Sequence, residues 1–217
     1  MNIIYLQPYN SSVKEFVVGN RPLQKISEEH CVLFVDTAGD GEDLSTYYSN
    51  VAIVSSDGNV PLQKLCRAIE YLQKVEFDIV VRTCPDTIIA NNGLLLDIID
   101  REMDIEESQL MGRWVKATSC QQDKWGIEGW IRGAGQIMTK KLIDKISVDW
   151  IEKNGENRSN DFSLMLGIDQ ISASVDIINE KLLEKGESYS GEKPIWHSPK
   201  FKLNKRLECF NNVINVS

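Results

Sequence analysis

The sequence predicts an α/β fold, with a mixed, mainly parallel central sheet flanked by helices in one domain. Three observations point there. Short β-branched and aromatic runs at 2–6, 31–36, 50–54 and 77–81 alternate with segments of helical periodicity, and strands separated by helices pair in parallel. The stretch FDIVVRTCPD at 77–86 carries an unbroken apolar run, as expected of a strand covered on both faces in mid-sheet. That run stops abruptly in a loop bearing an acid, Asp86, and in open α/β sheets ligands bind outside the carboxyl ends of strands.

Taken in order, residues 2–6 form a first strand ended by Gln7 and Pro8, and the polar residues 10–12 offer a cap for a helical VKEFVV. A second strand at 31–36 stops at TAGDGED, and a third at 50–54 leads into SSDGN. Between 59 and 75, Leu62, Leu65, Cys66, Ile69 and Leu72 keep helical spacing and Pro61 suits a first turn. Gln63, Lys64, Arg67 and Glu70 then fall on the solvent face. Lys64 and Arg67 read as solvated charges, or as cations that a helix preceding the 77–86 strand aims at a diphosphate.

After that strand come TII and, following Asn92 and Gly93, a short helix through LLLDIIDR. LMGRWVKA at 110–117 reads as one further strand, and 119–125 as a polar loop. The segment 129–146 holds two close glycines, a strand-like AGQIM and a helix opening at Thr139. KNGENRSN reads as a loop, after which Ser159 or Asn160 caps a helix through DFSLMLGI. ISASVDII at 171–178 closes the sheet, and the polar tail that follows is interrupted by PIWHSPKF at 194–201.

The chain has 217 residues, 42% hydrophobic and 26% charged, enough for one full core. Its formal charge of -8 argues against a nucleic-acid partner, since no Lys/Arg excess is available to neutralise phosphates. Five cysteines, at 31, 66, 84, 120 and 209, are odd in number and lack a CxxC pair, so they read as reduced thiols. The N-terminus has no basic region followed by a long apolar run, and no stretch approaches membrane-spanning length, so no membrane insertion is expected.

Several residues admit two readings. Asp86 is a turn residue or a hard oxygen ligand for Mg²⁺ or Mn²⁺, and Cys84 is an inert thiol or a nucleophile. Gly133 and Gly135 are too closely spaced for a dinucleotide fingerprint and read as backbone passing close to a ligand or a strand. Arg132 is a core-edge ion-pair partner or a substrate clamp. Trp125 and Trp130 pack in the core or stack on a sugar or base. Asp161 opens a helix, where an acid is favoured by the helix dipole whatever the function. His197, within IWHSPK, stands in an irregular tail where a tryptophan-histidine pair is hard to explain as packing.

As an ordered set these segments resemble the GT-A type nucleotide-sugar glycosyltransferases, and most closely the β1,3-galactosyltransferase and fringe-like branch. FDIVVRTCPDTIIANNGLLLDII is similar to that branch's FVLKTDDDVFVN strand and following helix. RGAGQIMTKKLIDKI resembles its GGAGYVLS signature, NDFSLMLGI its EDV-like acid pair, and WHS its late FHS. The resemblance implies a Rossmann-like GT-A core over 1–178 and a C-terminal segment, 179–217, that returns to the active site through 194–201. It implies Asp86 and His197 as ligands of Mn²⁺ (or Mg²⁺) and Asp161 as catalytic base. Gln7, Pro8, Arg82, Thr83, Cys84, Arg132, Gly133, Ala134 and Gly135 become donor contacts, Trp125, Trp130 and Asn160 contacts to acceptor or sugar, and Lys200 a phosphate contact.

Cys84 and Pro85 stand where the family has two further acids, and Asn160 replaces the first acid of the later pair. The implied activity is metal-dependent, inverting transfer from a nucleotide-sugar donor, a UDP-sugar, to a glycan or glycoprotein acceptor. With no membrane anchor or luminal disulfides of the family's kind, the expected setting is cytoplasmic, in a bacterium or in the host of a large DNA virus. The alternative is a non-catalytic nucleotide- or glycan-binding module that has lost part of the metal motif.

Overall fold

The computed structural model describes residues 1–20, 26–37, 44–57, 60–119, 122, 126, 128–155, 160–171, 173–177, 182–185 and 190–197. In chain order its first half contains β1 (Ile3–Pro8), α1 (Lys14–Asn20), β2 (Cys31–Thr37), β3 (Val51–Ser56), α2 (Pro61–Leu72), β4 (Ile79–Arg82), β5 (Thr87–Ile89) and α3 (Asn92–Glu102). Then come β6 (Gln109–Gly112), β7 (Trp114–Lys116), β8 (Gly129–Ile131), β9 (Gln136–Thr139), α4 (Lys140–Lys145), α5 (Val148–Gly155), α6 (Asn160–Gln170), β10 (Ser174–Ile177), β11 (Leu183–Lys185) and β12 (Ile195–His197).

The main sheet has seven strands in the order β10-β6-β9-β4-β1-β2-β3. Neighbours pair in parallel except at β9, which runs antiparallel to both β4 and β6. Alternation along the strands sorts side chains into two cores. Ile4, Leu6, Leu33, Val35 and Val80 meet α2, α4, α5 and α6 on one face. Ile3, Tyr5, Val32, Phe34, Ile79 and Val81 meet α1, α3 and β12 on the other. All four residues of β4 are buried, as a strand covered on both faces requires. Burial of a side chain such as Val80 is worth about 1.5–3 kcal/mol.

The helices follow their local signals. Pro61 occupies the first turn of α2, and the Gln73 amide beyond its end donates to the carbonyls of Ile143 and Ile146, tying α2 to α4. Asn91 caps α3 by accepting from the Leu94 N–H, and Thr139 caps α4 by accepting from Leu142. A second sheet pairs β12 with β11 in parallel and with β5 in antiparallel sense, while β7 and β8 form a separate antiparallel pair. No helix among the described residues is long and apolar enough to cross a membrane.

Several expectations need correction. The first strand does not stop at Leu6 but continues through Gln7 and Pro8, paired with Phe34 and Val35 of β2. The stretch 110–117 is two strands, because the chain leaves the main ladder at Arg113, whose carbonyl accepts the Arg132 N–H. TII is a strand in its own right, held by β12. Lys153, Asn154 and Gly155, read as loop, complete α5, whose Ile151 is buried in the core between α2 and α6. Asn160 is the first residue of α6 rather than its cap, and Ser159 lies outside the described residues. Lys64 is not on the solvent face of α2 and has only 4% of its surface exposed.

Candidate functional site

The register of the small sheet decides what meets Asp86. His197, the last residue of β12, stands opposite Thr87, the first of β5, so the residue before Thr87 is carried to the same place. The Asp86 Oδ1 lies 3.4 Å from His197 Nδ1, and Thr87 Oγ1 is 3.2 Å from the same nitrogen. Buried Trp196 and Ile195 hold β12 against the body of the protein. A carboxylate oxygen and an imidazole nitrogen at this separation can both reach one first-row divalent cation, whose bonds run about 2.0–2.2 Å. The mixed oxygen and nitrogen donor set suits Mn²⁺ better than Mg²⁺. Among the described residues no group of three or more His, Cys, Asp or Glu side chains could hold a metal, so phosphate and water oxygens would have to complete a coordination sphere.

A second constellation is built on β4 and β9. Arg82 faces Gln136 across the antiparallel pair, and its Nη1 donates to the Gln136 side-chain oxygen and, at 3.0 Å, to Asp161 Oδ1. Asp161 lies in the first turn of α6, where the helix dipole favours an acid, and its Oδ2 accepts the Gly133 N–H at 2.9 Å. The approach is so close that a Cβ at position 133 would stand 2.5 Å from Asp161 Oδ1, which is why glycine is needed there. Two residues on, Gly135 adopts φ +125°, a conformation side chains disfavour, and its N–H donates to the Arg82 carbonyl at 3.0 Å.

Between Arg82 and Asp161 and the amino-terminal end of α2 lies a cleft of about 450 Å³, lined by neither Asp86 nor His197 and within the size range of small-molecule sites. Pro8, Tyr9 and Asn10 line it from the end of β1, Pro61 and Lys64 from α2, and Arg82, Cys84, Pro85 and Asp161 from the opposite side. Lys64 Nζ donates to the Tyr9 carbonyl. Its burial had a sequence signal in Ala68 and Leu72, both buried at four and eight residues further along the same helix. Tyr9 and Asn10 carried no motif that could have singled them out.

Gln7 is buried and its amide donates to the Cys84 carbonyl at 3.1 Å, holding the acid-bearing loop against β1. Thr83 is buried and its N–H donates to the Leu6 carbonyl at 2.9 Å. Ala134 is buried between the two glycines. Arg132 is half-buried, and Trp130 packs against the core from β8. Trp125 and Lys200 lie outside the described residues.

Burial pushes the Cys84 thiol up to about 12. A thiol so shifted is predominantly neutral at pH 7.5, which disfavours thiolate attack. Peptide-resolved alkylation with iodoacetamide is expected to leave Cys84 unmodified in the folded protein at pH 7.5 and to label it after unfolding. Rapid labelling in the folded state would show the thiol to be ionised there.

No family model and no curated protein matches the sequence. Solved structures do match. The mannosyltransferase PcManGT from Pyrobaculum calidifontis, in complex with GDP-Man and Mn²⁺, superposes with a TM-score of 0.52 at 14% identity over 82% of this chain and 55% of that one. The glycosyltransferase GlyE of Streptococcus pneumoniae TIGR4 gives 0.51 at 12% identity over 82% of this chain and 45% of that one. Mouse xyloside xylosyltransferase 1, in its apo form, gives 0.56 at 9% identity over 92% and 98%. The chain thus spans about half the length of the first two. At such identities the likeness is one of architecture, and it agrees with the strand order: the chain has the α/β fold of the GT-A type glycosyltransferases.

Proposed function

We propose that the chain is a glycosyltransferase that moves one sugar from a nucleoside diphosphate sugar, a UDP-sugar, to a hydroxyl of a glycan or glycoprotein with inversion at the anomeric carbon. The observation that carries this reading is the meeting of Asp86 and His197 at 3.4 Å, with Cys84 and Pro85, the two residues before Asp86, lining a cleft that Asp161 also lines. Inverting transfer needs both functions, one for the leaving group and one for the attacking hydroxyl. Asp86 and His197 would hold Mn²⁺, which would supply Lewis-acid neutralisation of charge on the departing diphosphate. Asp161 accepts the proton of the acceptor hydroxyl as it attacks from the face opposite the leaving group. Arg82 and the Gly133 N–H orient that carboxylate, and the 133–135 turn flanks the donor sugar. In this reading residues 1–178 form the catalytic core and the following segment completes it with His197.

Asp86→Ala is expected to remove the Mn²⁺-dependent gain in UDP affinity, about tenfold or more, measured by calorimetry with and without Mn²⁺. An undiminished gain would take Asp86 out of the metal site. A donor-hydrolysis screen over nucleotide sugars identifies the donor without requiring the acceptor. Nucleotide binding with no turnover of any donor, in water or with acceptors, would leave a binding module in place of an enzyme.

A further inference from the structure

Taking Asp161 as the base of the proposed transfer, on which the inference rests, we infer that Gln136 is a positioning residue that aims this carboxylate at the acceptor hydroxyl. Both oxygens of Asp161 are held, Oδ1 by Arg82 Nη1 at 3.0 Å and Oδ2 by the Gly133 N–H at 2.9 Å. Gln136 anchors both holders. It stands opposite Arg82 in the antiparallel pairing of β4 with β9, which puts the two side chains on one face of the sheet. Its Oε1 accepts from the same Nη1 that reaches Asp161. Its Nε2 donates to the Ile131 carbonyl at 2.8 Å, closing the stretch of chain from whose middle Gly133 reaches Asp161.

Any buried amide needs partners for both its ends, and an apolar residue at 136 would have continued the buried run of β9 with no polar atom to satisfy. What singles out Gln136 is where its partners lead, since one bond goes to each of the two groups that grip Asp161. As a neutral acceptor it fixes the buried guanidinium of Arg82 without offering a second charge to compete with Asp161 for it. Gln136 has none of its surface exposed, whereas Arg82 and Asp161 both line the cleft, so it acts on the reaction only through them. In the transfer the acceptor oxygen bonds to the anomeric carbon, and the bond to the diphosphate breaks with its electron pair leaving on the diphosphate. The acceptor's proton passes to Asp161. A reacting group misplaced by about 1 Å costs about 100-fold in such a step.

One test needs no donor and compares the melting temperatures of the wild type, Gln136→Met, Asp161→Asn and the double variant. Because Gln136 and Asp161 share Arg82 as a partner, their losses are expected to be non-additive. Additive losses would overturn the inference whatever reaction the protein performs. The other test follows UDP release from UDP-glucose, UDP-galactose and UDP-N-acetylglucosamine with Mn²⁺, water serving as acceptor. Gln136→Met is expected to lower kcat about tenfold or more while KM for the donor stays within about twofold. In the Asp161→Asn background it is expected to cause no further loss, since it acts through that carboxylate. Gln136→Glu keeps an acceptor for Arg82 but sets a second carboxylate against Asp161 for the same guanidinium; it is expected to lower kcat likewise and serves if Gln136→Met fails to fold. The inference is overturned if folded Gln136 variants turn over like the wild type or if their losses multiply with that of Asp161→Asn. It is also overturned if neither variant folds where Asp161→Asn does, which would make Gln136 a structural support only. A wild type that releases UDP from none of these donors would instead take down the transferase reading, and this inference with it.

Discussion

Asp161→Asn is expected to slow sugar transfer by about 10²- to 10⁴-fold, the range for loss of a general base, which corresponds to about 3–5 kcal/mol of barrier. The substitution keeps the shape of the side chain and removes its charge. Because Arg82 Nη1 donates to Asp161 Oδ1 at 3.0 Å and is almost wholly buried, the same change leaves a guanidinium without its counter-charge. Breaking a buried pair typically costs about 3–5 kcal/mol. Asp161 keeps 22% of its side chain exposed, and solvent screening brings the expectation here down to about 2–3 kcal/mol. That is a fall in melting temperature of about 5–10 °C for a chain of this size. Scanning calorimetry measures the second effect, and turnover corrected for the folded fraction measures the first. Transfer at the wild-type rate by the folded variant would remove Asp161 from the role of base.

Gly133→Ala should be as damaging, for a steric reason. Its Cβ would sit 2.5 Å from Asp161 Oδ1 and 3.2 Å from the Arg82 Cζ and Nη1 atoms, and no L-residue escapes that contact without moving the turn or the ion pair. Overpacking of this kind costs about 1–3 kcal/mol, and a displaced carboxylate is expected to lower transfer by about 100-fold. Gly93→Ala is the matched control. In the first turn of α3 its Cβ would meet Asn91 Oδ1 at an ordinary 3.6 Å, and relief of backbone entropy in the unfolded chain should leave stability unchanged or raise it by up to about 1 kcal/mol. If both variants melt and turn over like the wild type, the tight approach of the 133–135 turn to Asp161 does not exist in solution.

Local signals were most legible where one element decides its own fate. The apolar run at 79–81 marked a strand buried on both faces, and β4 is that strand. Thr139 signalled the start of α4 and Pro61 the first turn of α2, because caps and turns use only neighbouring atoms. Where two elements compete for a segment the reading failed. Residues 110–117 look continuous, yet the second half leaves the main sheet to pair with β8. Lys64 looks like a surface charge by type, yet it lies on the buried stripe with Ala68 and Leu72.

By itself, the order of apolar periods along this chain determined an α/β sheet and drew attention to Asp86 after its central strand, whereas Asp161 and His197 stood out through the family resemblance of their segments. Only the tertiary structure decided that Asp86 meets His197, through the pairing of β5 with β12. It also decided that Arg82 meets Asp161, 79 residues away, and that Lys64 turns inward to the cleft. The reason is physical: periodicity reports which face of an element shuns water, whereas contacts between distant elements depend on strand register and helix packing, to which residues from the whole chain contribute together.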